Sequence, residues 1–269
     1  MSKQPTISLE QLQKSVPSAF TTSRYSKASE KYQVANTSEI VKEFMKSGWD
    51  ITRATQSMVN NPEKQGYQFH SIRMRNQDIK ISENNKEFAE IVITNGHDTN
   101  HLLTISMGIY RQICSNGLVV SDSYIEPIKI KHVGETFKTE LAQAITYASE
   151  KTEDLKRLMN TMKDKEITDE QQLMMAKQFF EFRMEKEPTD TQIDQILTAH
   201  REEDDGNQLW VTYNLLQENI IQGKFTYEVK KLIKDKKTKI SEYQAKAISS
   251  VAKIQDLNKK MFDSAMSYA

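Results

Sequence analysis

The hydrophobic period of the chain changes near Gly134, and that change limits the folds open to it more than any other feature. Upstream, apolar residues recur at every second position in short runs broken by turn residues; downstream they recur every three or four. The first period belongs to strands with one buried face and the second to amphipathic helices. The expected class is α+β, with a twisted, mainly antiparallel sheet in the N-terminal half and a helical C-terminal half. Helices laid on one sheet face would bury both apolar surfaces. Three segments are expected: a polar stretch over 1–36, partly disordered or wrapped over the sheet; a β-rich core over 37–135; and a helical region over 136–269 that packs on the sheet and ends in a long amphipathic helix.

In the β-rich core, "SEIVKEFMKSGW" places Ile40, Val41, Phe44 and Met45 on one helical face, with Gly48 near its end. "YQFHSIRMRN" alternates as a strand does, with Tyr67, Phe69, Ser71, Arg73 and Arg75 on one side and Gln68, His70, Ile72 and Met74 on the other. "FAEIVITN" and "HLLTISM" read as strands joined by a hairpin loop around Gly96. "GLVVS" and "IEPIKIKHV" complete the set, and Pro127 puts the last of them at an edge or gives it an irregular start.

Beyond Gly134, Phe137, Leu141, Ile145, Ala148, Leu155, Leu158 and Met162 keep the helical spacing. Thr168 with Gln171, and Thr189 with Gln192, form capping boxes that start two further helices. "NQLWVTYNLLQENI" is a helix buried through Leu209, Trp210, Tyr213, Leu216 and Ile220. Ile240, Tyr243, Ala247, Val251, Ile254, Leu257 and Met261 mark a final amphipathic helix, packed on its neighbours or on a second copy of the chain.

Composition excludes several classes. Lysine plus arginine and aspartate plus glutamate each number 37 in 269 residues, so no global field points to nucleic acid or membrane. Locally the balance breaks. Glu166–Asp205 holds 12 acidic and 4 basic residues, a net of −8, and Lys224–Lys260 holds 11 basic and 4 acidic, a net of +7. Solvated helix faces account for such blocks; the functional reading is a basic stripe meeting phosphates, or the two blocks meeting each other. The single cysteine, Cys114, excludes an internal disulfide framework and fits a reducing compartment. No apolar run approaches the roughly 20 residues of a membrane span, and "MSKQPTISLEQLQ" lacks a signal-peptide core. A soluble cytoplasmic protein with no membrane partner is expected.

Histidines concentrate in the β-rich part: His70, His97, His101 and His132. His97 and His101 have a zinc-binding spacing, but only on a helix, and here the pair straddles a hairpin loop. Satisfied polar histidines are expected in place of a metal site. Asn95–Asp98, "NGHD", combines a candidate general base and carboxylate with the residues a tight turn demands, and the turn is favoured. Arg73, Arg75 and Arg111 lie near Tyr67, Phe69 and Tyr110 in sequence, the combination by which open sheet faces hold phosphates and stack bases. The plain alternative is a solvent-facing sheet side with ordinary charges. Lys224–Lys239 has 7 lysines against Glu228 and Asp235. It reads as a solvated helix end and linker, or as a contact to nucleic acid or an acidic partner through Lys230, Lys231, Lys234, Lys236 and Lys237. Cys114 is read as a small buried hydrophobe. No Gly-rich phosphate loop is present, and Ser115 followed by Asn-Gly departs from a hydrolase elbow. No cofactor is expected.

The stretch "TNGHDTNHLLTISMGIYRQICSNGLVV" resembles the signature region of the phage/plasmid-like protein family built on domain of unknown function nine-three-two. That family shows an asparagine and a His-Asp pair in a loop, then Gly-aromatic-Arg, then Cys-Ser-Asn-Gly-Leu. Asn95, His97, Asp98, Gly108, Tyr110, Arg111, Cys114, Asn116, Gly117 and Leu118 fit. His70 fits a family histidine on a strand, "KHVG" with His132 fits a later Lys/Arg-His pair, and Thr99 stands where glycine is common. "SEKYQVANTSEIVKEFMKSGWD" is similar to the family's opening, so the resemblance covers residues 30 to 145 or so.

The resemblance implies a gene carried by phages, prophages or conjugative plasmids among DNA-handling genes, and hence the host cytoplasm. It makes His70, Asn95, His97, Asp98, Arg111, Asn116 and His132 the candidates for a shared site, or for a buried network that satisfies irregular backbone. The leading functional expectation is a non-catalytic accessory of DNA metabolism that binds single-stranded nucleic acid, with a role near recombination. The alternatives are a metal-assisted hydrolase built on the His, Asp and Arg set, and a protein-binding factor that counters a host defence with its acidic block. Self-association through the C-terminal helix belongs to the same set of expectations.

Overall fold

The computed structural model describes residues 6–81, 87–111, 118–119, 124–130, 137–232 and 238–269. The chain divides into two compact units, Met1–Ile113 with Gly117–Arg157, and Cys114–Asn116 with Leu158–Ala269. The fold is α+β, with strands concentrated in the first unit and helices in the second. No helix among the described residues is long and apolar enough to cross a membrane.

The first unit is built on a six-stranded sheet. Its strands are β1 (Asp50–Gln56), β2 (His70–Lys80), β3 (Glu87–Asn95), β4 (Leu103–Arg111), β5 (Leu118–Val119) and β6 (Ile128–Ile130). They follow the order β1-β2-β3-β4-β5, with β6 also pairing β4, and every pairing is antiparallel. β6 begins directly after Pro127, at the same edge as β5, where a residue without an N–H is tolerated. One sheet face carries Ile51, Ile72, Met74, Ala89, Ile91, Ile93, Leu103, Ile105, Met107 and Ile109, all fully buried. At about 1.5–3 kcal/mol for each large apolar side chain, this face is the principal stabilising surface of the unit.

The N-terminal segment wraps onto this sheet. Helix α1 (Leu9–Ser15) opens with a capping box between Ser8 and Gln11. A 3-10 turn, Pro17–Phe20, follows, and Leu12, Val16 and Ala19 are buried. Helix α2 (Thr37–Lys46) is capped by Asn36, and buries Ile40, Val41 and Phe44 on the face its spacing marks out. Both helices pack against β1. Helices α3 (Phe137–Glu150) and α4 (Thr152–Asp164) meet at Lys151, and the division between the units falls within α4.

The second unit contains α5 (Asp169–Met184), α6 (Asp190–Leu197), α7 (Leu209–Gln222), β7 (Thr226–Leu232), β8 (Thr238–Gln244) and α8 (Val251–Met266). The two predicted capping boxes are present, with Thr168 and Thr189 accepting from the backbone N–H of Gln171 and Gln192. α7 is buried nearly all round, with Tyr213 at the centre of an aromatic cluster with Phe179, Trp210 and Phe262.

Two expectations are corrected here. The lysine-rich stretch is not a helix end and linker but an antiparallel hairpin of β7 and β8, running from Thr226↔Gln244 to Leu232↔Thr238. The final helix therefore starts at Val251, capped by Ser250, and Ile240 and Tyr243 belong to β8. Its apolar stripe of Leu257, Met261, Phe262 and Ala265 is buried within the chain, where α8 packs against α5 and α7. The stripe is thus accounted for without a second copy.

Candidate functional site

The polar set brought together at one end of the sheet begins with His70, the first residue of β2. Its Nδ1 lies 2.9 Å from the Gln68 carbonyl and 3.0 Å from Ser18 Oγ, and its Nε2 lies 2.9 Å from Thr37 Oγ1. A carbonyl only accepts, so Nδ1 carries the proton, and in the neutral ring Nε2 accepts from Thr37. The Ser18 hydroxyl donates a hydrogen bond to Gln56 Oε1 at 2.9 Å. Asn95, opposite His70 in the β2–β3 register, donates through Nδ2 to the Ala35 carbonyl and to Thr37 Oγ1, each at 3.0 Å. Its Oδ1 accepts from Gly96 N–H at 2.8 Å. These bonds fasten the N-terminal wrap to β2 and β3 in a fully buried setting, where an unmet polar group costs about 1–3 kcal/mol.

The loop between β3 and β4 extends this network. His97 donates its backbone N–H to the Tyr67 carbonyl, and its buried ring lies 5.9 Å from that of His70. Asp98 does not pair with His97. It accepts from Lys64 Nζ at 2.9 Å, His101 Nδ1 at 3.0 Å and Asn100 N–H at 3.3 Å. Burial opposes ionisation of Asp98, but the hydrogen bonds from Lys64, His101 and Asn100 outweigh it and hold the carboxyl at about 2. Burial and the Asp98 charge in turn push the nearby Tyr32 hydroxyl up to about 12. His101 stacks on Phe69 with ring centroids 4.4 Å apart.

With donors from Lys64, His101 and Asn100, the Asp98 carboxylate staples the loop that carries Asn95–Asp98. His70, with both ring nitrogens engaged, is not placed as a metal ligand. Among the described residues no group of His, Cys, Asp and Glu has the geometry to hold a metal ion. Asn116 and His132 lie outside the described residues, as does Cys114.

The arginines of the sheet are placed differently from the expected open face. Glu90 of β3 accepts from Arg73 Nη1 at 2.7 Å and from Arg75 Nη2 at 2.8 Å, with 11%, 3% and 1% of the Arg73, Arg75 and Glu90 side chains exposed. A bulge between Ile51 and Arg53 brings the Thr52 hydroxyl within 3.4 Å of the same carboxylate. The Arg75 guanidinium lies 3.6 Å from the Tyr110 ring centroid. Arg111 is also buried, opposite Glu87 in the β3–β4 register. β3 is buried along most of its length, so neither face of the sheet is open there. Sequence reasoning missed Glu90, which sits inside an apolar strand; three arginines assigned to one region were the signal that a carboxylate had to be among them.

The remaining candidates lie on the β7–β8 hairpin. Lys230 pairs with Ile240 and Lys231 with Lys239 in its register, while Lys234, Lys236 and Lys237 lie outside the described residues. The two strands pair with no third strand among the described residues, but the base is firmly held. Phe225 packs on Phe180 with ring centroids 5.0 Å apart, and the Arg183 guanidinium lies 5.0 Å from the Phe225 ring. Arg183 also donates to the carbonyls of Ile220 and Lys246. From α6, Gln192 Nε2 donates to the Thr226 carbonyl at 2.7 Å, and Gln195 Oε1 accepts from Thr226 N–H at 2.8 Å. The acidic block is partly consumed nearby: Asp204 pairs with Arg201, and Asp169 and Asp190 complement the first turns of α5 and α6.

The molecule is thus defined as an α+β protein with a stapled polar network at one end of its sheet and a lysine-rich two-stranded arm. The model of Domain of unknown function (DUF932) matches residues 24–251, and the chain belongs to that family. It is similar to UPF0380 protein YfjQ of Escherichia coli (strain K12), 27% identical over 216 residues that cover 80% of this chain and 77% of the relative. UPF0380 protein YafZ of the same strain is similar to the same extent, 27% over 216 residues, 80% and 77%. No solved structure matches the chain.

Proposed function

We propose that the chain is a nucleic-acid-binding accessory protein of mobile-element DNA metabolism, acting by binding and not by catalysis, with the β7–β8 arm as its contact surface. The mobile-element and recombination setting comes from the family resemblance. The binding surface comes from one observation: residues 230–239 hold six lysines and one aspartate in the sequence, and the strands β7 and β8 that flank this run are anchored at their base by Gln192 and Gln195. Lys231 pairs with Lys239 in the backbone register, two residues of like charge that a polyanion would neutralise. Arg73, Arg75 and Arg111 are buried structural charges in this reading.

The test is a salt-dependent titration with labelled oligonucleotides. A variant with Lys231, Lys234 and Lys239 changed to Gln should lose most affinity and flatten the log K against log salt slope by about 2, at roughly 0.7 per phosphate contact on a single strand. No binding by the parent chain at low salt, or an unchanged slope in the variant, overturns the proposal.

A further inference from the structure

We infer that the arm selects single strands over duplex, and that the rung formed by Tyr227 and Tyr243 provides the selection by stacking unpaired bases. This rests on the arm being a nucleic-acid contact, and adds the residues that would set its substrate class. Tyr227 and Tyr243 are directly opposed in the β7–β8 register, so they stand on one side of the ribbon. Their ring centroids are 6.1 Å apart with the planes tilted by 32°, so the rings lie side by side as a ledge and do not cover each other. Tyr243 is 43% exposed, an unusual setting for a side chain whose burial would otherwise stabilise the fold.

The charges along the ribbon agree with a strand lying on this side. The next rung, Glu228↔Glu242, alternates to the opposite side and sets two carboxylates there, which repel phosphates. Rungs with the parity of the tyrosines run Tyr227↔Tyr243, Val229↔Ser241, Lys231↔Lys239: aromatic, neutral, basic, with no carboxylate. From the first to the last is four residues, about 13 Å of extended chain. At the near end, Lys186 Nζ lies 5.7 Å from the Tyr227 ring centroid, so the ledge has a cation at its base as well. A base within a duplex has both faces covered by its neighbours and cannot use such a ledge; an unpaired base can, at about 1–3 kcal/mol per stacked base whatever its identity. Duplex would then be held by the lysines alone.

Three probes separate these contributions: an oligothymidine strand, a duplex of the same length, and a strand of the same length with abasic sites. Tyr243→Leu keeps apolar bulk without an aromatic face, and Tyr243→Phe keeps the face without the hydroxyl. At fixed salt, Tyr243→Leu should bind oligothymidine roughly tenfold more weakly, within the range of one lost stack. Its affinity for duplex and for the abasic strand should be unchanged, and Tyr243→Phe should match the parent on all three. The inference is overturned if Tyr243→Leu binds oligothymidine like the parent, or if it loses affinity for all three probes in equal measure. If the lysine variant loses both strand and duplex while Tyr243→Leu loses neither, the arm binds nucleic acid by charge and only the stacking role fails. Absence of binding to any probe by the parent chain removes both.

Discussion

Arg75 and Glu90 face each other across β2 and β3 with Nη2 and Oε1 2.8 Å apart, and almost nothing of either side chain reaches solvent. Glu90 also takes Arg73, so one carboxylate balances two guanidiniums inside the protein. Removing it takes a charge partner from both guanidiniums in a poorly solvated place. Glu90→Leu is therefore expected to lower stability by about 3–5 kcal/mol, read as the shift of a urea unfolding transition. Arg75→Met leaves Glu90 still paired with Arg73 and should cost less, with nucleic-acid affinity unaltered. A loss below about 1 kcal/mol for Glu90→Leu would mean that water reaches the pair and that it behaves as a surface bridge.

Asp98 ties pH to stability. Its carboxyl is held at about 2 in the folded chain against an ordinary value of 3.8. A depressed carboxyl contributes stability that is fully present above its unfolded value and is lost as pH falls through the folded one. The contribution should therefore be complete near neutrality and decline between about pH 5 and pH 1. With Lys64 one third exposed, screening reduces it to about 1–2 kcal/mol. Asp98→Asn should lose this amount at neutral pH, and the difference from the parent should close in strong acid. A pH-independent difference, followed by thermal unfolding, would assign the loss to packing and not to charge.

How much of this was legible in the sequence depends on whether the partner is close along the chain. Spacing alone marks α2, β2, β3, β4 and α7, because burial of one face repeats at short range. The boxes at Thr168 and Thr189 mark the starts of α5 and α6. The same device at Ser8 and Gln11 marks α1, but the polar composition of the first 36 residues hid it. The arm is hidden in the same way, because seven lysines mask the alternation of Phe225, Tyr227 and Val229. Ile240 and Tyr243 fall in phase with the helical stripe that follows, so they were absorbed into it. In the polar network, Lys64 lies 34 residues from Asp98, and Ser18 lies 52 from His70. Such pairings exist only once register and wrap are set, and no local pattern encodes them.

Thr99 offers a stabilising change. It stands at φ 73°, in the left-handed region, one residue after the stapled Asp98. A β-branched residue is held there only because its surroundings over-determine the turn. Glycine enters this region without a Cβ penalty. Thr99→Gly should raise stability by about 1 kcal/mol, the relief of left-handed strain less the entropy glycine loses on folding. A rise of several degrees in the unfolding temperature would show it; a fall would mean that the Thr99 side chain contributes more than its backbone costs.

Gly223 is the opposite case. It ends α7 at φ 73°, with its N–H bonded to the carbonyls of Asn219 and Ile220. A Cβ here would lie 2.6 Å from the carbonyl oxygen of Ala245, which is backbone and cannot swing aside. Ala245 is itself bonded through its N–H to the Phe225 carbonyl at 2.9 Å, which closes the β7–β8 ladder at the base of the hairpin. Gly223→Ala should therefore combine about 1–2 kcal/mol of backbone strain with a displacement of that link. Hydrogen exchange is the informative measurement. Amides of Thr226–Leu232 and Thr238–Gln244 should lose protection first, while those of α5 and α8 keep theirs, because these helices also pack on each other. Equal loss everywhere would show that the arm and the helical layer unfold together, and that the base of the hairpin is part of the core.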